Sequence, residues 1–362
     1  MPDSHSRVEA AIKAFAKGEI VVVTDDDDRE NEGDLFVAAS LCTPEKMAFI
    51  IRNTSGIVCA PLGVELARRL HLDPMVAEND APLGTAFTVT VDVRHGLSTG
   101  ISAEERTNTV RALANDNSGA ADFVRPGHVF PLVAREGGVL MRSGHTEACV
   151  DLCRLAGLPP VGVLSELMKD DGTVMRGPDV ATFAGKHKLV QVSIAELISY
   201  RQSRDKLVER VGEFQLASDI GTLKGYAYVT PFDRVHHMAF VYGDIGDGKN
   251  VLARLHRADV IGDVFGGAKS IRAALKRFKT EGRGVIVYLR DGTAGVPVAD
   301  IPQADSETEA ARGRQWREIG LGAQILKDLG ISSIRLLSSS KRTYVGVGGF
   351  GIEIVATDPL EG

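Results

Sequence analysis

The residues with the clearest capacity for chemistry lie in a short acidic segment, 25–34, with the sequence Asp-Asp-Asp-Asp-Arg-Glu-Asn-Glu-Gly-Asp. It directly follows a β-branched run, 19–24, that predicts a buried strand, and open α/β sheets bind their ligands where strands end. So many carboxylates repel one another unless a cation lies among them, and Mg²⁺ favours one or two carboxylates together with water and substrate oxygens. The segment therefore favours a metal or sugar-phosphate site over the alternative, a solvated charged loop.

Two histidines form the second group of candidates, in the motifs Arg125-Pro-Gly-His128 and Arg142-Ser-Gly-His145-Thr-Glu147. A Pro-Gly turn before an apolar run predicts that His128 is held at the mouth of a site. The second motif predicts the start of a helix that runs through Leu155; helix N-termini attract phosphates, and Arg142 adds a bidentate donor. The alternative for either histidine is a hydrogen-bonded structural residue.

A glutamate, Glu166, lies within the apolar run 162–167. A carboxylate inside such a run costs free energy unless it is paired or functional, so Glu166 is a candidate general acid or base. The alternative is the exposed face of an alternating strand. Cys149 and Cys153 are one helical turn apart, and we expect them, like Cys59, in the core instead of a metal or redox site.

The elements that must position these residues alternate between strand and helix patterns up to about residue 200, which predicts an α/β or layered α+β domain. Apolar residues at helical spacing predict a first helix over 8–15, with Ser6 as its N-cap.

A highly charged run marks the expected domain boundary, so the predicted domains are 1–200, a linker at 201–210, and 211–362. The second domain is expected to be α/β as well. Its strand signals lie at 285–288 and 344–355, and its clearest helix, 322–329, ends at Gly330.

Composition limits the class of protein. The chain of 362 residues is long enough for two domains, and its 25% charged and 44% hydrophobic residues are typical of a globular protein. A formal net charge of -6 argues against a broad nucleic-acid interface. Four cysteines are too few for a disulfide scaffold. Because we find neither a membrane-spanning run nor a signal peptide, we expect a cytoplasmic protein with no membrane association.

Several motifs, in order and over about residues 7–200, resemble the 3,4-dihydroxy-2-butanone-4-phosphate synthase family: Asp28-Arg-Glu-Asn-Glu-Gly-Asp34, Ser55-Gly-Ile-Val-Cys59, Arg125-Pro-Gly-His-Val-Phe-Pro-Leu132, Gly144-His-Thr-Glu147, and Glu166 with Asp170-Asp-Gly-Thr173. The resemblance implies that D-ribulose 5-phosphate loses C4 as formate and leaves a four-carbon phosphate, a step of riboflavin biosynthesis. It also implies Mg²⁺ or Mn²⁺ as cofactor, and a homodimer with sites at the subunit interface. Enolising a hydroxyketone requires a base and a cation for the developing oxyanion, which suits these residue types.

Carried over residue by residue, the resemblance assigns the metal to Glu30 and His145 and catalysis to His128 and Glu166. It assigns substrate binding to a larger set: Arg29, Glu30, Asp34, Arg142, Ser143, Gly144, His145, Thr146 and Glu166. Asp25 and Glu32 match further acidic positions around the site.

From about residue 211 the chain resembles GTP cyclohydrolase II, in the segments Gly243-Asp244, Arg254-Leu-His256, Gly262-Asp263, Tyr288-Leu-Arg290 and Gly320-Leu-Gly-Ala-Gln-Ile-Leu326. That family holds zinc with three cysteines, but Asp259 stands at the first of these positions and no cysteine follows Cys153. The family's substrate loop is replaced by Asp-Gly-Thr-Ala-Gly at 291–295, and its Asp-x-Arg pair by Gln315-Trp-Arg317. We therefore expect no zinc and no cyclohydrolase activity in this domain.

Two alternatives stay open for the second domain. The protein is bifunctional and also opens GTP, or the domain is a binding or assembly module. The segment 243–249 has the spacing of a phosphate loop, but Asn250 stands where Ser or Thr would bind Mg²⁺. A strand-like run follows it, so the segment predicts a turn between strands.

Overall fold

The computed structural model describes residues 4–25, 30–231, 233–290, 320–338 and 352–360. The chain divides into two compact units, Met1–Tyr200 (unit 1) and Arg201–Gly362 (unit 2). Each is built on a mixed sheet with helices, so the predicted α/β fold class is confirmed for both.

The strands of unit 1 are β1 (Val21–Thr24), β2 (Gly33–Ala38), β3 (Cys59–Gly63), β4 (Val91–Val93), β5 (Phe123–Ala134), β6 (Gly162–Glu166) and β7 (Val190–Ser193). Its helices are α1 (Ser4–Ala16), α2 (Pro44–Asn53), α3 (Val64–Arg69), α4 (Ala103–Leu113), α5 (His145–Leu155), α6 (Pro178–His187) and α7 (Ile194–Arg204), the last of which continues past the boundary at Tyr200. The strands pair in the order β4-β5-β3-β6-β2-β1-β7. Neighbouring strands in the chain are therefore often not neighbours in the sheet.

The centre of this sheet is buried and mostly apolar. Val21, Val22 and Val23 of β1 have no exposed surface, and every residue of β2 is buried. A strand covered on both faces requires such a continuous apolar run, which is why 19–24 correctly predicted a strand. Helix α5 lies in the same interior, since all its residues from His145 to Cys153 are buried. The predicted core positions of Cys59, Cys149 and Cys153 are confirmed.

Helix α1 begins earlier than the sequence pattern predicted. Ser6 was wrongly predicted as the N-cap, because it lies inside a helix that runs from Ser4. Side chains of the first turn find partners in α7: the ring of His5 lies 5.7 Å from that of Tyr200, and Arg7 pairs with Glu196. These contacts outweigh the local preference of serine for the cap.

The Pro-Gly turn predicted before His128 is also wrong, because Pro126 and Gly127 lie inside β5. The register between β4 and β5 shifts at this point, and residues 125–128 have no partner on β4. A Cβ on Gly127 would lie 2.1 Å from the carbonyl carbon of Val91, so only glycine lets the two backbones approach this closely.

The strands of unit 2 are β8 (Glu209–Ser218), β9 (Gly221–Thr230), β10 (Asp233–Tyr242), β11 (Val251–Arg257), β12 (Gly284–Leu289), β13 (Ser333–Ser338) and β14 (Glu353–Pro359). They pair in the order β14-β13-β11-β12-β10-β9-β8, with α8 (Lys269–Glu281) following β11. The pairs from β8 to β12 are antiparallel and those from β12 to β14 are parallel. Phe278 of α8 is fully buried against Leu252, Ile286 and Leu337.

Two predicted elements of unit 2, the strand at 285–288 and the helix at 322–329, are present in the structure with bounds that differ by one or two residues. A helix occupies 320–328, and Gly330 follows with a φ of 79°. The chain turns at 245–248, where the N–H of Gly248 donates to the carbonyl oxygen of Ile245 at 3.3 Å. Because β11 and not a helix follows, the phosphate-loop alternative is excluded. Of the predicted strand 344–355, residues 344–351 lie outside the described part of the chain. No described helix is long and apolar enough to span a membrane.

Candidate active site

The first feature of the site is a group of three ligand-type side chains, Asp25, Glu30 and His145, whose ligand atoms lie within 4.8 Å of one another. Nδ1 of His145 is 3.5 Å from Oε2 of Glu30. Asp25 and His145 are buried and Glu30 is half-buried. Two carboxylates and an imidazole this close are a donor set that fits a divalent cation such as Mg²⁺ or Mn²⁺.

Asp25 also closes the acidic loop. Its Oδ2 accepts a hydrogen bond from the N–H of Glu30 at 3.0 Å, and its Oδ1 accepts one from the N–H of Glu32 at 2.9 Å. These bonds hold Glu30 beside the end of β1 despite the like charges of the loop. Glu32 itself accepts a hydrogen bond from Nη2 of Arg176 at 2.9 Å. Arg29, a predicted substrate ligand, lies outside the described residues.

Asp34 and Glu166 stand opposite each other on the antiparallel strands β2 and β6. Asp34 is 1% exposed, and its Oδ1 lies 3.8 Å from Nε2 of His145 and accepts no hydrogen bond from the described residues. Burial raises the pKa of Asp34 to about 7; the charge of His145 opposes the rise and that of Glu166 adds to it. Glu166 is held by Ser55, whose hydroxyl donates to Oε2 at 2.8 Å.

The N-terminus of α5 forms the second part of the site. Ser143 precedes the N-cap residue Gly144, and His145 and Thr146 are buried in the first turn. A Cβ on Gly144 would lie 2.2 Å from Nη1 of Arg142, so a larger residue would displace the guanidinium. Free N–H groups at a helix start attract anions, and His145 is the first residue of this helix.

Arg142 is fixed beside this helix start by hydrogen bonds. Its Nη1 donates to Oε2 of Glu147 at 2.7 Å, and its Nη2 donates to the carbonyl oxygen of Leu83 at 3.1 Å. The other oxygen of Glu147 accepts from the N–H of Arg135 at 3.0 Å. A guanidinium held in this way is suited to a phosphate or carboxylate.

His128 lies apart from this group within one chain. It belongs to β5, and β3 and β6 separate β5 from β2 in the sheet. Adjacent strands lie about 4.8 Å apart, and the path from β5 through β3 and β6 to β2 crosses three such spacings. His128 is therefore about 14 Å from Asp34. Its Nδ1 lies 2.7 Å from Oδ2 of Asp92. The other described candidates gather where β2, β6 and the start of α5 meet.

In unit 2, residues of the cyclohydrolase-like segments form a hydrogen-bonded network. Oδ2 of Asp263 accepts from the hydroxyl of Tyr288 at 2.7 Å and from the N–H of Asp259 at 3.0 Å. Its Oδ1 lies 2.9 Å from Nε2 of His256, whose ring stacks on Tyr288 with the centroids 5.3 Å apart. The remaining positions of that comparison, 291–295, Gln315 and Arg317, lie outside the described residues.

Comparison with known families matches residues 9–200 to 3,4-dihydroxy-2-butanone 4-phosphate synthase and residues 209–359 to GTP cyclohydrolase II. The chain belongs to the 3,4-dihydroxy-2-butanone 4-phosphate synthase family. The riboflavin biosynthesis protein RibBA of Salinispora arenicola is 45% identical over 364 residues, which are 96% of this chain and 87% of that protein. The predicted enzyme, a synthase of riboflavin biosynthesis, is thereby confirmed.

Two solved synthase structures resemble the chain. RibBX, a two-domain 3,4-dihydroxy-2-butanone 4-phosphate synthase from A. baumannii, is 37% identical with a TM-score of 0.80, over 97% of this chain and 100% of that one. A 3,4-dihydroxy-2-butanone 4-phosphate synthase in complex with two magnesium ions is 44% identical with a TM-score of 0.53, over 54% of this chain and 97% of that one. The two-domain architecture of this synthase therefore has a solved counterpart.

Three residues of the synthase unit contact candidate groups without having been predicted in these roles. Asp25 joins Glu30 and His145, and its position directly after β1 is a signal that sequence reasoning can use. Ser55 lies in a segment that carries the family resemblance, although its contact with Glu166 depends on the sheet. Asp92 lies in Val91–Val93 without any motif, and no sequence signal identifies it.

Proposed function

We propose that unit 1 converts D-ribulose 5-phosphate to 3,4-dihydroxy-2-butanone 4-phosphate and formate at the site formed by β2, β6 and the start of α5. The observation that carries this proposal is the grouping of Asp25, Glu30 and His145 beside the buried Asp34, with Glu166 opposite Asp34. The two products together contain every atom of the substrate. The reaction therefore requires proton transfers and an exchange of carbon–carbon bonds, without an external oxidant or added water.

The cofactor in this proposal is Mg²⁺ or Mn²⁺, held by Glu30 and His145 with Asp25 as a further ligand. When bound, the ion supplies positive charge for the oxyanion that develops as a hydroxyketone enolises. Support for magnesium comes from the related synthase in complex with two magnesium ions. Manganese accepts the same carboxylate and imidazole ligands.

The chain's own residues bind the phosphate end of the substrate and transfer protons at its other end. Arg142 and the first turn of α5, with Ser143, Gly144 and Thr146, bind the phosphate. Glu166 moves protons at the reacting carbons. The hydroxyl of Ser55 occupies its Oε2, so we assign proton exchange to Oε1.

We propose a homodimer in which the partner subunit's His128 completes the site. The separation of about 14 Å between His128 and Asp34 across the sheet of one chain supports this arrangement. Mixing two inactive variants tests it. The Glu30→Ala and His128→Ala chains are mixed in equal amounts and refolded together. If each site takes one of these residues from each chain, half of the dimers contain one variant of each kind, and each such dimer has one intact site out of two. We therefore expect about a quarter of wild-type activity. No restored activity would contradict a shared site.

We propose that residues 1–200 carry the synthase, 201–210 link the two domains, and 211–362 form a domain without cyclohydrolase activity. Asp259 stands where the cyclohydrolase resemblance places a zinc thiolate, and its neighbour Asp263 is engaged by Tyr288 and His256. A bifunctional enzyme is the second candidate, favoured by the family match over 209–359.

One pair of assays distinguishes these functions. Formate release is measured from D-ribulose 5-phosphate with Mg²⁺ and from GTP with added Zn²⁺, on the same sample. The proposal expects formate from the sugar phosphate alone, lost with EDTA and in Glu30→Gln. Glu65→Gln is the matched control, because Glu65 pairs only with exposed Arg68 among the described ion pairs. Formate from GTP would establish the bifunctional enzyme, and formate from neither substrate would refute the synthase site.

Cell fractionation tests the expected cytoplasmic location.

A further inference from the structure

Helix α4 carries a buried arginine that contacts the turn containing Ser55. Arg106 is 6% exposed, and its Nη1 donates to the carbonyl oxygen of Gly56 at 3.0 Å. Burial lowers the pKa of this guanidinium and the charge of Asp92 opposes the change, so the group stays charged at neutral pH. Its Nε is buried and donates to none of the described residues. A buried donor without a partner costs free energy that an apolar side chain would not, so the bond to Gly56 is the contact that this arginine provides.

The turn at 54–57 is bound to β6 through Ser55. The N–H of Ser55 donates to the carbonyl oxygen of Glu166 at 2.8 Å, and its hydroxyl donates to Oε2 of the same glutamate at 2.8 Å. Gly56 follows in the left-handed region with a φ of 75°. The N–H of Ile57 then donates to the hydroxyl oxygen of Ser55 at 3.3 Å. Because this oxygen accepts from Ile57, its own hydrogen is directed to Glu166.

A single peptide group connects Arg106 with that hydroxyl. The carbonyl oxygen that Arg106 binds and the N–H that donates to Ser55 belong to the peptide between Gly56 and Ile57, and a peptide group is planar. The guanidinium therefore fixes the plane of this peptide and, with it, the direction of the N–H. A positive charge at the carbonyl end also polarises the chain of hydrogen bonds that follows.

We infer that Arg106 is a positioning residue for Glu166 in the synthase reaction and acts through the peptide after Gly56 and the hydroxyl of Ser55. Without the guanidinium this peptide is free to rotate, and the hydroxyl is no longer held on Oε2. The carboxylate then loses the fixed orientation that directs Oε1 toward the substrate. The inference rests on the proposed role of Glu166.

A double-mutant cycle on kcat tests this path. Arg106→Met removes the donor and keeps a long side chain. We expect kcat to fall about tenfold to a hundredfold, the range for a hydrogen bond to a charged group, with KM within about threefold of wild type. In a Ser55→Ala background the same substitution should lower kcat by no more than about threefold, because the path to Glu166 is already broken. A full further loss in that background overturns the inference, since Arg106 would then act by another route, such as the charge of Asp92.

The matched control is Arg111→Gln, because Arg111 lies on the same helix with an exposed side chain. It leaves kcat unchanged. Glu166→Gln separates the two levels of the argument: if that variant is inactive, near-normal kcat for Arg106→Met overturns the inference alone. If Glu166→Gln is active, the proposed role of Glu166 fails and the inference fails with it.

Folding of each variant is measured by calorimetry on the full chain. If Arg106→Met does not fold, Arg106→Lys replaces it in the cycle, since lysine keeps a positive charge but loses the planar donor group. If neither variant folds, Arg106 is required for the fold itself and the inference is overturned.

Discussion

The ion pair between Arg142 and Glu147 allows a prediction that joins stability to substrate binding. Glu147 is 1% exposed in its side chain and Arg142 is 12% exposed, and their contact is 2.7 Å long. The substitution Glu147→Gln keeps an oxygen for the N–H of Arg135. It removes the negative charge and turns an amide donor toward a guanidinium donor.

The expected loss of stability follows from this burial. Breaking a buried pair by removing one partner costs about 3–5 kcal/mol, because the other charge stays uncompensated. At about 2–4 °C of Tm per kcal/mol for a domain of this size, the midpoint of unit 1 should fall by about 6–20 °C. The guanidinium then loses its bond to Glu147, which weakens its proposed hold on the phosphate. Losing a hydrogen bond to a charged group costs about 1.5–3 kcal/mol, so KM for ribulose 5-phosphate should rise about tenfold to a hundredfold.

Differential scanning calorimetry and initial-rate kinetics on the full chain measure both effects. Glu65→Gln again serves as control, since the Glu65–Arg68 pair is exposed and such pairs contribute about 0–1 kcal/mol. A Tm within about 3 °C of wild type together with an unchanged KM would refute the reasoning. That outcome would mean that Arg142 keeps its position through contacts such as those with the carbonyl oxygen of Leu83 and the hydroxyl of Thr85.

Three further predictions concern the interior, the carboxylate and the cation. A Cβ on Gly162 would lie 2.1 Å from Sγ of Cys149, so Gly162→Ala should lower the free energy of unfolding, measured by urea titration, by about 1–3 kcal/mol. Adding Cys149→Ala should recover most of this loss. No recovery would mean that the clash is elsewhere. Ser55→Ala removes the hydrogen bond to Glu166 and should lower kcat about tenfold to a hundredfold, whereas a change confined to KM would contradict the assignment. Removing Mg²⁺ that is present at about a hundred times its Kd should lower the free energy of unfolding by about 2.7 kcal/mol and the Tm by several degrees. The same removal should leave the Tm of Glu30→Gln unchanged. An equal shift of Tm in both proteins would place the ion elsewhere.

Local sequence signals predicted much of the fold. The valine run of β1 and the helix that starts at His145 were evident because one segment contains the whole pattern. The start of α1 was mispredicted, since the contact of His5 with Tyr200 joins residues far apart in the chain. Boundaries of this kind depend on tertiary packing, which a short window of sequence does not contain.

In the candidate site too, local motifs were predictable from the sequence and contacts between distant segments were not. Glu30 and His145 lie in recognisable motifs, and the structure places them within reach of one ion. The separation of His128 from them depends on β5 pairing with β3 and β4 instead of with β6, a fact of topology. Asp92 is one carboxylate among many in the sequence, and only its burial against His128 distinguishes it.

The network around Asp263 bears on any attempt to introduce a thiolate metal site into unit 2. The carboxylate of Asp263 is engaged by Tyr288, His256 and the N–H of Asp259. Because the backbone at position 259 donates to this carboxylate, a cysteine introduced there would stand beside groups that are already bonded to one another. A metal ion at that position would therefore have to replace several hydrogen bonds at once.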